Sequence, residues 1–96
     1  MLQVHDYTFG ELKVRVQGLG VYFDGKYLTE ACDKLTPQQL KAANQEAWRQ
    51  KRAAERAMNR FSNVSVHGNL AYDTASARYN VASVVCKETW QRIKKM

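Results

Sequence analysis

Thr36-Pro37-Gln38-Gln39 followed by LKAANQEAWRQKRAAERAMNRF, residues 40–61, is the stretch whose reading decides the fold. Thr36 offers a side-chain oxygen to the free N–H groups of a first helical turn. Pro37 has its φ preset for the first helical position, and Gln39 stands where its side chain closes a capping box. From Leu40 to Phe61 there is neither proline nor glycine, and strong helix formers follow one another. Stepping 100° per residue puts Leu40, Ala43, Ala47, Ala54, Met58 and Phe61 on one face. Arg49, Arg52, Arg56 and Arg60 recur at spacings of three and four on another face, with Lys41 close by. The pattern predicts one long amphipathic helix over 36–61, stopped at Ser62-Asn63. Its apolar face is mostly alanine, which permits close approach to a sheet or to another helix.

Upstream of this helix the chain reads as antiparallel sheet. Leu12, Val14 and Val16 alternate with Lys13, Arg15 and Gln17, the period of a half-buried strand. Gly18 and Gly20 break the run, and an earlier strand near residues 2–9 is expected beside it. Val21-Tyr22-Phe23 and Lys26-Tyr27-Leu28 flank Asp24-Gly25, a pair that favours a type I′ hairpin turn. Downstream, residues 64–69 read as a short strand running into a turn. From about Asp73, two readings compete. A helix aligns Ala75, Tyr79, Ala82, Cys86, Trp90 and Ile93 on one stripe, whereas a strand alternates Tyr79, Val81, Ser83 and Val85. The helical stripe is the longer and continues through 88–95, so helix is the expectation, with Trp90 in the core. The predicted class is α+β: a small antiparallel sheet, the long Ala/Arg-rich helix packed across it, and a C-terminal helix.

At 96 residues the chain is expected to form one domain, 1–96, and it shows no repeats or linkers. Apolar and charged fractions of 45% and 25% are those of a globular protein. The net charge of +6 is unevenly spread: residues 1–35 carry −1, 36–61 carry +4, 62–86 are neutral and 87–96 carry +3. All of the excess therefore sits on the long helix and the C-terminal end, which points to an anionic partner. Residues 1–6 lack a basic start followed by an apolar core, so no secretory leader is expected. No apolar run approaches the ~20 residues that cross a bilayer. The long helix is also too shallow on its alanine face to insert into a membrane surface. Cys32 and Cys86 read as reduced thiols, and the expected location is cytoplasmic.

The arginine face is the first candidate site. Guanidinium forks pair with phosphates or carboxylates, although the same face also reads as a solvated helix surface. Glu46 and Glu55 are expected to point away from the densest arginine line, leaving it poorly neutralised. Trp48 lies about 80° from Leu40, between the apolar stripe and the basic side. It suits base stacking, an interface anchor, or simple cover by a wide sheet. The candidate contact set is thus Arg49, Arg52, Arg56, Arg60, Lys41 and Trp48, with Arg92, Lys94 and Lys95 as a possible extension. Cations at a helix C-terminus also simply complement its dipole. Tyr22, Phe23 and Tyr27 read as strand packing rather than as a stacking platform.

Catalysis and metal binding find little support. Cys32, Cys86, His5 and His67 stand far apart in sequence, without the short paired spacings of zinc modules. No nucleophile elbow, phosphate loop or carboxylate pair is recognisable. No catalytic residue, cofactor or metal is expected. The expected function is a small non-enzymatic protein that engages and modulates a partner complex through the arginine face. In general character this is the behaviour of accessory proteins encoded by mobile elements or phage. The partner surface would be acidic protein, such as a nucleic-acid-processing complex. The alternative is a nucleic-acid-binding module gripping phosphates with weak sequence specificity.

Overall fold

A computed structural model describes residues 4–18, 25, 28–61 and 70–95. Along the chain these form β1 (Val4–Phe9), β2 (Leu12–Gln17), α1 (Leu28–Asp33), α2 (Pro37–Phe61) and α3 (Leu70–Ile93), an α+β arrangement. The strands pair antiparallel, from Val4 opposite Gln17 to Phe9 opposite Leu12. The connection is Gly10-Glu11. Gly10 has φ +63° and no non-glycine among the described residues has positive φ, which fits a type II′ turn with glycine first. Leu12, Val14 and Val16 are buried while Lys13, Arg15 and Gln17 are exposed, as the period-two pattern predicts. Phe9 brings the end of β1 into the same core.

Leu28 does not close a hairpin strand. Its N–H donates to Gly25 O at 2.9 Å, and it starts the short helix α1. The reason lies four residues on. Leu28 and Cys32 stand one turn apart, and both are buried in the common core, so the helical period wins over the alternating one. Cys32 is accordingly a small buried packing residue ahead of α2, carried on a short helix of its own. The other parts of the expected hairpin, at 21–24 and 26–27, lie outside the described residues. So do Gly20, the Ser62-Asn63 stop, the strand expected at 64–69, His67 and the side chain of Phe61.

The capping box forms as the sequence predicts. Thr36 N donates to Gln39 Oε1 at 2.9 Å, and Gln39 N donates to Thr36 Oγ1 at 3.2 Å. Leu40, Ala43, Ala47 and Ala54 are buried, and Met58 is half-buried. The long helix does not lie mainly across the sheet, however; its principal neighbour is α3. Length explains this. A 25-residue helix runs for about 37 Å, whereas six-residue strands reach about 20 Å. Only α3, at 24 residues, matches it. Alanines on both sides (Ala43 and Ala47, Ala77 and Ala82) are fully buried and leave room for close backbone approach.

Three polar ties fix the helices. Asn44 Nδ2 donates from α2 to Cys86 O at 3.2 Å and to Thr89 Oγ1 at 3.1 Å. Thr89 is fully buried and itself donates to Val85 O at 2.7 Å. Gln50 Nε2 reaches Thr8 O at 2.9 Å, joining α2 to β1. Arg92 clasps α1, as described below.

Candidate partner-binding surface

The exposed side of α2 carries Lys41, Trp48, Arg49, Arg52, Arg56 and Arg60, all facing solvent. They do not form one equivalent row. Arg49 pairs with Glu46 one turn back, with its Nε 3.0 Å from Oε2 and a second nitrogen on Oε1. Glu46 also accepts from Gln50 Nε2 at 3.1 Å. The Arg49 hydrogen bond, then the Gln50 one, holds its carboxyl below the usual carboxylate range. The expectation that Glu46 points away from the arginine line is therefore corrected. An i,i+3 neighbour reaches Arg49, whereas Arg52, Arg56 and Arg60 make no ion pair among the described residues. Lys41 and Arg60 stand near opposite ends of the helix, about 28 Å apart along its axis.

Trp48 is the hinge of the surface. Its side chain is about half exposed (residue exposure 49%), so it is not covered by the sheet. On one side, Trp48, Arg49, Arg52, Ala53 and Arg56 line a shallow depression of about 600 Å³. On the other, a groove of about 390 Å³ runs between the two long helices. Asn44, Trp48 and Lys51 of α2 there face Ser83, Cys86, Lys87 and Trp90 of α3. Lys51 Nζ lies 5.0 Å from the centroid of the Trp48 ring and 5.6 Å from that of Tyr79, within cation–π range of both.

Trp90 is 55% exposed, not a core residue. The buried side of α3 includes Ala77, Val81, Val85 and Thr89 as well as Ala75, Ala82 and Cys86, so it is rotated away from the predicted stripe. That rotation puts Trp90 on the groove rim opposite Trp48. Both tryptophans of the chain thus line one groove. Sequence reasoning had missed Lys51, Lys87, Asn44 and Trp90 as members of the surface. The available signal was weak: Lys51 and Asn44 project near Trp48 on the α2 wheel, but nothing local says which helix lies opposite.

The C-terminal cations divide in the same way. Arg92 has a side chain only 18% exposed. Its Nε is 2.9 Å from Asp33 Oδ1, and its other nitrogens reach Glu88 O at 2.8 Å, Glu88 Oε2 at 3.3 Å and Thr29 O at 3.3 Å. Arg92 is a clasp between α3 and α1 and adds little to an open basic surface. Lys94 and Lys95 are exposed, and Lys94 follows Lys87 by seven residues, about two turns along the same side.

The two cysteines are buried and unpaired. Burial is the main influence on each thiol and pushes both up, only partly opposed by Arg92 at Cys32 and by Lys51 at Cys86. Both therefore remain protonated at neutral pH and serve as small apolar packing groups. No group of three or more His, Cys, Asp or Glu suited to a metal ion occurs among the described residues. No helix of these residues is long and apolar enough to cross a membrane. No protein-family model, curated protein or solved structure matches this chain. What defines the surface is its own geometry: an α+β domain presenting two half-exposed indoles among largely unneutralised cations.

Proposed function

We propose that this chain is a non-enzymatic binding protein that modulates an acidic protein partner, docked on the Trp48-centred face of α2. One observation carries the reading. Trp48 and Trp90 are gathered with Lys51, Arg52, Arg56 and Lys87 around two adjoining hollows, and among the described residues no carboxylate lines either. Tryptophan and arginine are the residues most often responsible for interface affinity. Unpaired cations around them steer an acidic surface into place and suppress cationic competitors. Arg52 and Arg56 lead in this role, Arg49 is partly neutralised by Glu46, and Lys41, Arg60, Lys94 and Lys95 widen the positive field. The reading extends to a cytoplasmic setting and to a partner such as a nucleic-acid-processing complex, in the manner of modulators encoded by mobile elements or phage. It requires no cofactor and no metal.

The test is affinity capture from nuclease-treated cytosolic lysate, using the full chain and the double variant Arg52→Glu/Arg56→Glu. The expected result is one stoichiometric protein retained by the full chain and lost by the variant. Far-UV circular dichroism and Tm should be unchanged, because exposed arginines without ion pairs alter stability by no more than about 0.5 kcal/mol. Equal capture by the variant would remove the arginine face from the reading. Micromolar binding of labelled DNA or RNA at about 150 mM salt, with a steep salt dependence, would replace the protein partner with nucleic acid.

A further inference from the structure

From the groove between α2 and α3 we infer what the partner inserts: a single apolar or aromatic side chain from an acidic segment, with flanking carboxylates on Lys51, Lys87 and Arg52. This inference rests on the protein-partner reading above and specifies its anchor.

The walls come first. Trp48 and Trp90 are contributed by different helices and are about half exposed across a volume of about 390 Å³. That is the small end of the range of ligand pockets, enough for one side chain and the backbone beside it. Two large apolar rings left in water on facing sides of one groove lose their exposed area only when something fills the space between them.

The floor decides between a side chain and a nucleobase. Cys86 contributes a buried thiol. The Asn44 amide nitrogen already donates to Cys86 O and Thr89 Oγ1, and the Ser83 hydroxyl donates to Tyr79 O at 2.7 Å. The donor hydrogens of Asn44 and Ser83 along the groove are thus committed within the protein. A nucleobase pushed edge-first onto this floor would bury ring and carbonyl acceptors that these two side chains have no free donor to meet, at about 1–3 kcal/mol for each. A leucine, phenylalanine or methionine side chain has no such groups to lose.

The rim supplies the sign of the partner. Lys51 is held over the Trp48 and Tyr79 rings, Lys87 is exposed on the opposite helix, and Arg52 stands in the adjoining depression. Carboxylates one or two residues from the anchor would meet these cations as the side chain enters. A second copy of this chain is a poor occupant, because it would bring the same cationic rim and a net charge of +6 against itself.

The experiment uses the full chain and three probes: a short synthetic peptide of Asp and Glu with one central Phe, the same peptide with Ala in place of Phe, and oligothymidylate. Intrinsic fluorescence is the readout, since both tryptophans line the groove. The Phe peptide should bind saturably, shift the emission to the blue, and bind at least about tenfold more tightly than its Ala twin. Trp90→Ala and Trp48→Ala, each leaving one indole as reporter, should abolish that preference. Arg52→Glu/Arg56→Glu should weaken both peptides alike. Equal affinity of the wild-type chain for the two peptides overturns the anchor while leaving the acidic-partner reading in place. Binding of oligothymidylate in preference to both peptides, or no binding of either peptide, overturns the anchor and the reading together.

Discussion

Removing the Asn44–Thr89 link should loosen the α2–α3 pair by an amount that two hydrogen bonds set. Asn44→Ala deletes the donor to Cys86 O and to Thr89 Oγ1, at about 1 kcal/mol of net stability each, so the loss is about 2 kcal/mol. For a domain of this size each kcal/mol lowers Tm by roughly 4–8 °C, so the melting point should fall by roughly 8–16 °C. Thr89→Val keeps the shape of a fully buried side chain but removes the hydroxyl, at a cost of about 1 kcal/mol. In an Asn44→Ala background the same change should cost almost nothing. The Asn44 bond is already gone there, and Val85 O is a helix carbonyl that the Thr89 hydroxyl only supplements. The double-mutant cycle should therefore return a coupling of about 1 kcal/mol from urea unfolding followed by circular dichroism. Strict additivity, with a coupling under about 0.3 kcal/mol, would mean that this bond contributes nothing to the folded state. The groove floor would then lose its claim to preorganised polar groups.

Two further perturbations probe the frame that holds this surface. Arg92→Ala should cost about 2 kcal/mol and speed amide hydrogen exchange in α1 selectively, because it removes the clasp to Asp33 and the Thr29 carbonyl. Arg92→Lys should recover less than half, since an ammonium cannot span both helices as the guanidinium fork does. Gly25→Ala should lose roughly 2–4 kcal/mol by thermal unfolding, from a φ of +72° and from a new Cβ that would overlap Val84 Cγ1. Gly10→Ala is the control. Its φ is also positive, but its new Cβ would meet Ala42 at an ordinary 3.7 Å, so only the backbone strain of about 1–2 kcal/mol should appear.

Much of the surface's basic half was legible before any fold was known. The helix start at Thr36-Pro37-Gln38-Gln39 is written into four consecutive residues, and the Thr36–Gln39 bonds realise it. The alternation of Leu12, Val14 and Val16 and the exposure of Arg52, Arg56 and Arg60 follow from periods of two and 3.6. The Gly10-Glu11 turn also had a local signal in its glycine, although the strand ahead of it was placed only loosely. Helix α1 was not legible as such. Six residues with three apolar positions are too few to separate a helical period from a strand beside an Asp-Gly pair.

What the sequence determined by itself is therefore what depends on residues within a turn or two of each other: the capping box, the strand alternation, the start and helical course of α2, and the segregation of positive charge onto α2 and the C-terminal end. For α3 it left helix and strand in competition, and the packing against α2 goes with helix. What only the tertiary structure decided is what faces what. Trp90 and Trp48 sit near the edges of their helical stripes, where burial depends on which element lies opposite and how each helix is rotated about its axis. Arg92 and Arg49 look alike in sequence, yet one is drawn inward by Asp33, fifty-nine positions away, and the other lies along its own helix against Glu46. Charge can be counted along a chain. The cleft that directs it exists only once two helices of matching length close on their alanine faces and leave their indoles at the rim.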